Sequence, residues 1–170
     1  RQERLCAKLY GYLKIPFQRA SVQGLKCSGK SHEKTELDSI ASYVLDNMDN
    51  NYYYLIGPGT TTRAIMEKLK LPNTLLGVDV IYQGKLIAKD VNEKQLLSFL
   101  KDKTAKIIIS PIGGQGYIFG RGNQQISADI IKRIGRENII VIATKDKIIN
   151  LQNKALYVDT GDQNTNDILK

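Results

Sequence analysis

Residues 110–127 concentrate five glycines and several carboxamides in one connection of the chain. The segment before it, Ala105–Ile109, is short and β-branched, which predicts a buried strand, and the isoleucines after it recur at helical spacing. The glycines therefore lie where a strand ends and a helix begins, which is where open α/β sheets bind ligands. The alternative is a long turn without a ligand. The residues expected to contact a ligand are Gly113, Gly114, Gln115, Gly116, Gly120, Arg121, Gly122, Asn123, Gln124 and Gln125.

A second strand-to-helix turn, residues 57–62, has the sequence Gly-Pro-Gly-Thr-Thr-Thr. A helix start binds phosphate because its first N–H groups are unpaired and carry partial positive charge, and threonine hydroxyls add donors. The lysine of a Walker-type loop is missing, so this turn predicts a phosphate site made of backbone and hydroxyls rather than a P-loop. Helix capping by Thr60 alone is the simpler alternative. The predicted phosphate-binding residues are Gly57, Gly59, Thr60, Thr61 and Thr62.

Four aspartates accompany these turns: Asp79, Asp90, Asp159 and Asp162. A carboxylate there could bind a ribose hydroxyl, hold a metal ion or act as a general base. The alternative is that each accepts a hydrogen bond from a nearby backbone N–H. We take Asp79 and Asp159 as polar contacts of the ligand, and the sequence identifies neither a catalytic residue nor a metal site.

Strands and helices must alternate to position these turns. We predict strands at 9–15, 52–56, 74–82, 85–88, 106–109, 138–143 and 155–158, with a turn at Gln83-Gly84. Helices are predicted at 60–69, 92–100 and 127–134, after a first helix that Thr35 caps and that extends to Met48; 21–34 is a loop, 147–151 a helical turn, and 166–170 the start of a further element. Two strands are apolar on both faces. The pattern indicates a three-layer α/β fold, with a largely parallel sheet and helices on both faces.

The length of 170 residues and the hydrophobic fraction of 42% suit one globular domain over residues 1–170. Because the chain starts at Arg1 with a basic segment, we expect it to be a fragment of a longer polypeptide or a processed one. No apolar run approaches the ~18 residues of a membrane span and no signal peptide is visible, so we expect a cytoplasmic protein without membrane contact.

The formal net charge of +8 is concentrated at the N-terminus, where residues 1–35 hold eight Lys/Arg and two acids. No nucleic-acid-binding module accompanies it, so we expect a solvated surface or a patch that attracts an anionic small ligand, and no nucleic-acid partner. Cys6 and Cys27 are expected to be ordinary reduced thiols, and His32 a solvated loop residue.

Six segments carry a family resemblance. They are Leu-Tyr-Gly-Tyr-Leu at 9–13, Ile-Gly-Pro-Gly-Thr-Thr-Thr at 56–62, Thr-Leu-Leu-Gly-Val-Asp-Val at 74–80, Pro-Ile-Gly-Gly-Gln-Gly at 111–116, Phe-Gly-Arg-Gly-Asn-Gln-Gln at 119–125 and Val-Asp-Thr-Gly-Asp at 158–162. In this order they resemble the C-terminal part of the predicted ATP- or polyphosphate-dependent NAD kinase family that includes the acetoin-cluster X protein.

The resemblance implies a kinase-like protein that phosphorylates NAD to NADP, with ATP or polyphosphate as donor and Mg²⁺. It also implies that this chain is the C-terminal part of a longer two-domain protein, whose upstream α/β domain carries a Gly-Gly-Asp-Gly motif with the aspartate that activates the ribose 2′-hydroxyl. The nearest string here has Gln115 in place of that acid, and a neutral amide cannot accept the proton. We therefore expect a nucleotide or other phosphorylated ligand and the upstream domain as partners, and no NAD phosphorylation by this chain alone; self-association stays open.

A fainter resemblance connects the two turns with the ligand loops of the glucosamine-6-phosphate deaminase, ribose-5-phosphate isomerase and CoA-transferase group. There the first loop holds a phosphate and the second lies over the reacting sugar. The catalytic histidine of the deaminase-type loop falls at Tyr117, which cannot do the same chemistry at neutral pH. Two alternatives remain open: a non-catalytic sensor or assembly module that binds a phosphorylated metabolite, and a sugar-phosphate isomerase or hydrolase.

Overall fold

A five-stranded mixed sheet forms the centre of the protein in a computed structural model that describes residues 30–112, 116–120, 122–151 and 154–170. The strands are β1 (Tyr53–Ile56), β2 (Val78–Tyr82), β3 (Lys85–Val91), β4 (Ala105–Ile109) and β5 (Ile139–Val141). Their order in the sheet is β3-β2-β1-β4-β5. β1 pairs parallel with β4 and β4 with β5, whereas β2 is antiparallel to both β1 and β3, so four of the five strands run the same way.

Helices cover both faces of this sheet. They are α1 (Lys30–Asp46), α2 (Thr60–Lys68), α3 (Glu93–Phe99), α4 (Ala128–Ile134), α5 (Lys145–Ile149) and α6 (Gln163–Leu169), with short 3-10 helices at Leu100–Asp102 and Arg136–Asn138. Side chains alternate along the central strands, so Leu55 and Ile107 pack in one core with α3 and α4, while Ile56 and Ile108 pack in a second core with α1 and α2. The predicted three-layer α/β architecture is therefore confirmed.

Local sequence signals explain several boundaries. Asn92 caps α3, because its side chain accepts from the Gln95 N–H at 3.0 Å and the Gln95 side chain accepts from the Asn92 N–H at 2.9 Å. Gln83 and Gly84, the predicted turn, both have positive φ, at 47° and 71°, which suits the tight connection of β2 to β3.

Other boundaries differ from the prediction. The helix α1 begins at Lys30, so Thr35 lies inside it and does not cap it. The polar residues before Thr35 have ordinary helix propensity, and they extend the helix although no apolar pattern marks it in the sequence. His32 lies in that helix rather than in a loop. Residues 74–77 precede β2 instead of belonging to it, and β3 extends to Val91.

The predicted last strand at 155–158 is also wrong. Only Tyr157 pairs there, through a single β-bridge to Tyr117 of residues 110–127, called the glycine-rich segment below. One isolated bridge does not make a strand. The predicted strand 9–15, Cys6, Cys27 and residues 21–29 lie outside the described residues. Over the ranges that are described, no helix is both long and apolar enough to cross a bilayer.

The β4 core position Ile107 tests this packing. It is fully buried, so we expect Ile107→Ala to lower the free energy of unfolding by about 2–5 kcal/mol, measured by urea denaturation. Ile148→Ala is the control, because that side chain is 54% exposed and its removal should change stability by about 0.5 kcal/mol or less. Equal effects of the two substitutions would contradict the two-core arrangement.

Candidate functional site

The parallel pairing of β1 and β4 brings the two predicted ligand turns to one edge of the sheet. Ile56 lies beside Ile108, and the Gly57 N–H continues the ladder by donating to the Ile108 carbonyl oxygen at 2.9 Å. A Cβ at Gly57 would lie 3.0 Å from Cγ2 of Ile109, so glycine permits this close approach. The 57–62 turn and the 110–127 segment therefore both begin at the carboxyl ends of neighbouring strands.

Buried polar side chains gather at this edge. Thr61 and Thr62 lie in the first turn of α2, Ser110 follows β4 directly, Thr144 lies three residues after β5, and Asp79 lies in β2 opposite Ile56. Burial of a polar group costs free energy unless it is hydrogen-bonded, so the partners of these groups indicate which of them serve the fold.

In the turn at residues 57–62, called the threonine turn below, one buried hydroxyl has no hydrogen-bond partner among the described residues. The N-cap of α2 is Gly59, without a side-chain cap, so the alternative in which Thr60 caps the helix is wrong. Arg63 N–H makes the first intrahelical bond, to the Gly59 carbonyl at 3.0 Å, and the Thr62 hydroxyl donates to the same oxygen at 3.0 Å. Thr61 is fully buried, and its Oγ1 has no hydrogen-bond partner within the described part of the chain.

Asp79 is held by the protein itself. Its side chain is 2% exposed and accepts three hydrogen bonds, from the Thr74 N–H at 2.6 Å, the Thr74 hydroxyl at 2.7 Å and the Asp90 N–H at 2.9 Å. The carboxylate therefore holds the segment before β2 against β3. This agrees with the alternative in which the aspartate accepts hydrogen bonds from nearby backbone N–H groups. A small pocket joins Asp79 and Thr74 to Gly57, Gly59 and Thr62 of the threonine turn.

Sequence reasoning missed Lys147 at the same edge. Its Nζ donates to the Ser110 Oγ at 2.6 Å and to the Pro111 carbonyl at 3.3 Å, so α5 holds the first residues of the glycine-rich segment. The Lys147 N–H in turn donates to the Thr144 Oγ1 at 3.4 Å, which caps α5. The sequence signal was a threonine three residues after β5, with a lysine three positions later.

The glycine-rich segment is described in part. Gly116, Gly120 and Gly122 have φ of 78°, 90° and 88°, so each occupies the region that favours glycine. Asn123 is buried and donates from Nδ2 to the Ile118 carbonyl at 2.9 Å, which fixes the loop, whereas Gln124 is exposed. The predicted ligand contacts Gly113, Gly114, Gln115 and Arg121 lie outside the described residues.

The second half of this segment lines an open groove of about 410 Å³ together with the turn after Tyr157. Its lining residues are Gly120, Gln124, Ile126, Ser127, Asp159, Thr160 and Gly161, and none of them also lines the pocket at the threonine turn. The two turns share a sheet edge, but their described residues line different pockets. A single crevice that joins them stays a prediction.

Asp162 belongs to the helix framework beside this groove. It accepts from the Thr165 N–H and hydroxyl and so caps α6, and it pairs with Lys132 of α4 at 2.8 Å. The hydrogen bond from Lys132, followed by those from Thr165, lowers the pKa of Asp162 to about 2. Asp162 is therefore ionised at neutral pH and connects α4 with α6.

The described residues do not fit a metal ion. Across the described ranges, no group of three His, Cys, Asp or Glu side chains could hold one. Asp79 is engaged by three donors, and Asp159 lies alone in its groove. We therefore derive no metal-dependent step from these side chains.

A family model described as the ATP-NAD kinase C-terminal domain matches residues 49–170. The chain belongs to this family. Comparisons with curated proteins and with solved structures returned no match. The match begins just before β1 and includes both ligand turns, Asp79 and the 159–161 turn, so the whole sheet edge belongs to the ATP-NAD kinase C-terminal domain.

Asp79 provides a test of the buried edge of this NAD kinase-type domain. Asp79→Asn keeps one acceptor oxygen and places an NH₂ group against donors, so at least one buried donor loses its partner. We expect the free energy of unfolding to fall by about 1–3 kcal/mol, measured by urea denaturation. Asp102→Asn, an exposed change near the start of β4, is the matched control and should be nearly neutral. An Asp79→Asn variant as stable as the parent would contradict the structural role.

Proposed function

We propose that this chain is the nucleotide-binding C-terminal part of an ATP-NAD kinase-like protein that converts NAD to NADP in its full-length form. Membership of the family supports the reaction, and the start of α2 supports the ligand chemistry. The observation that carries the proposal is the fully buried Thr61 hydroxyl, whose Oγ1 has no partner among the described residues although it lies in the first turn of a helix. A phosphate oxygen is the partner that this position suits.

Three features of the turn favour phosphate. The N–H groups at the first positions of α2 precede that of Arg63, the first to donate within the helix, and the helix dipole adds partial positive charge at the same end. Gly57 and Gly59 have no Cβ that would obstruct the approach of an anion to the backbone. In this proposal Gly57, Gly59, Thr60, Thr61 and Thr62 hold the phosphate, and Gly113–Gly116 and Arg121–Gln125 contact the rest of the ligand.

Chemistry on NAD would need a second component. The sequence has Gln115 where the Gly-Gly-Asp-Gly motif has its acid, so we propose that an upstream domain supplies the group that takes the proton from the ribose hydroxyl. ATP or polyphosphate with Mg²⁺ would serve the complete protein, and the residues described here would contribute binding and orientation. A non-catalytic module for a phosphorylated metabolite is the second candidate, because the same turn would serve it equally.

The first test uses the chain as it is. We expect the purified 170-residue chain, given NAD, ATP and Mg²⁺, to form no NADP in a coupled assay with an NADP-specific dehydrogenase, because it lacks the acid. ATP binding by the same sample, measured by calorimetry, is expected, and it shows that the chain is folded. Measurable NADP formation would refute the proposal that an upstream domain must supply the proton acceptor. Absence of ATP binding would refute the nucleotide-binding proposal.

The second test removes the Thr61 hydroxyl. Thr61→Val has nearly the same shape, and we expect it to weaken ATP binding by about 1–3 kcal/mol, the cost of leaving a charged group short of one hydrogen bond. The melting temperature should not fall, since the hydroxyl has no partner within the described residues.

Thr104→Val, near the amino end of β4, is the matched control for that experiment. Its hydroxyl donates to the Asn51 carbonyl at 3.3 Å, away from both turns, so ATP affinity should be unchanged. If Thr61→Val and Thr104→Val bind ATP as tightly as the parent, the phosphate is not at the threonine turn.

A further inference from the structure

The two outer strands of the sheet, β3 and β5, differ in how they are protected against further pairing. β3 carries Lys85, Lys89 and Asp90 and has register shifts against β2, features that discourage the addition of another strand. β5 consists of three apolar residues, has no charge and pairs with β4 without a register shift. Its last residue, Val141, is 36% exposed. β5 is therefore the outer strand that is suited to a further partner.

The backbone of β5 has hydrogen-bonding groups that face away from β4. The Ile142 N–H, one residue after β5, donates to the Ile109 carbonyl at 2.8 Å, so the backbone groups of Ile142 face β4. Since successive residues of a strand turn their backbone groups to opposite sides, the N–H and C=O of Val141 point outward. Among the described residues, no strand lies on that outer side.

The helical connections between parallel strands indicate where a further strand belongs. α3 connects β3 to β4, and α4 connects β4 to β5. Both helices pack in the core that contains Leu55 and Ile107, and both connections move across the sheet toward β5. Such crossovers are right-handed in about 98% of cases, so a crossover over the opposite face must move toward β3.

α1 packs on that opposite face and leads into β1. It shares the second core with Ile56 and Ile108. A parallel strand before α1 therefore lies on the β5 side of β1. β4 and β5 already occupy the first two positions on that side, so the position that the described residues leave open is the one beyond β5.

α1 also begins close to this position. The Lys145 N–H, four residues after β5, donates to the Glu36 side chain of α1 at 2.6 Å. Lys30, the first residue of α1, lies six positions before Glu36, which is about 9 Å along a helix axis. The chain therefore enters α1 near the end of β5. Residues 16–29 are long enough to reach β5 from there, since an extended chain spans about 3.3 Å per residue.

We propose that residues 9–15, Leu-Tyr-Gly-Tyr-Leu-Lys-Ile, are a sixth strand of the sheet, which runs parallel to β5 and pairs with its outer side. These residues are the strand that the sequence predicts before α1, and Pro16 ends it. They lie outside the described residues, so the proposal rests on β5, on α1 and on the handedness of the connection. It goes beyond the proposed function and does not depend on it.

The experiment uses the full 170-residue chain, isotope-labelled for NMR. We expect nuclear Overhauser effects between backbone protons of residues 9–15 and those of Ile139–Val141. We also expect the Val141 amide to exchange with solvent about 100-fold more slowly than in an unstructured peptide, because it donates to the added strand. Absence of these Overhauser effects, or exchange of Val141 at the unstructured rate, overturns the proposal.

A proline substitution tests whether residues 9–15 cause the protection. Tyr12→Pro removes an N–H from the predicted strand, and we expect it to abolish most of the protection of Val141 while the Ile107 amide of central β4 stays protected. Gln23→Pro, in the predicted loop, is the matched control and should leave Val141 protected. Equal protection of Val141 in the parent and in Tyr12→Pro contradicts the pairing. If Tyr12→Pro loses protection throughout the sheet, the Overhauser effects in the parent decide.

A second copy of the chain is the other occupant that this side of β5 could accept. Protection of Val141 that falls on dilution, together with a dimer in sedimentation, would identify that occupant and overturn the proposal. Protection that is independent of concentration in a monomer supports pairing within one chain.

Discussion

The parallel pairing of β1 with β4 is the constraint on which the site depends. It places the strand ends at Ile56 and Ile109 side by side, and the Gly57 N–H extends the ladder by one bond to the Ile108 carbonyl. Parallel strands require a crossover, and helices on both faces of the sheet make it possible while burying both sides of each central strand. The chain must then leave each strand at the same edge, and after β1 the absence of a Cβ at Gly57 allows the exit to pass close to Ile109.

A sheet edge of this kind concentrates buried polar groups, and the protein satisfies most of them internally. Asp79 takes three donors, the Thr62 hydroxyl donates to the Gly59 carbonyl, and Ser110 meets Lys147. These contacts hold the threonine turn and the start of the glycine-rich segment in place. The Thr61 hydroxyl differs from these groups, because the fold supplies each of them with a hydrogen-bond partner and supplies none to Thr61 within the described residues.

Sequence patterns predicted the layers and the turns because both depend on local signals. The isoleucine run of β4 and the apolar end of β1 before Gly57 indicate the strand ends, and Asn92 with Gln95 fixes the start of α3. The predicted strand at 155–158 failed because an apolar run says nothing about whether a partner strand exists. Lys147 was missed for a related reason, since its contact with Ser110 spans 37 positions in the chain and leaves no periodic trace.

The helix start at Thr60–Lys68 and the groove at Asp159 differ in the groups that their described residues present. The helix start offers N–H groups and a buried hydroxyl, which favours an anion, whereas a carboxylate is among the residues that line the groove. In the proposed function a phosphate is therefore better placed at the helix start, and the orientation of a larger phosphorylated ligand would follow from the position of its phosphate.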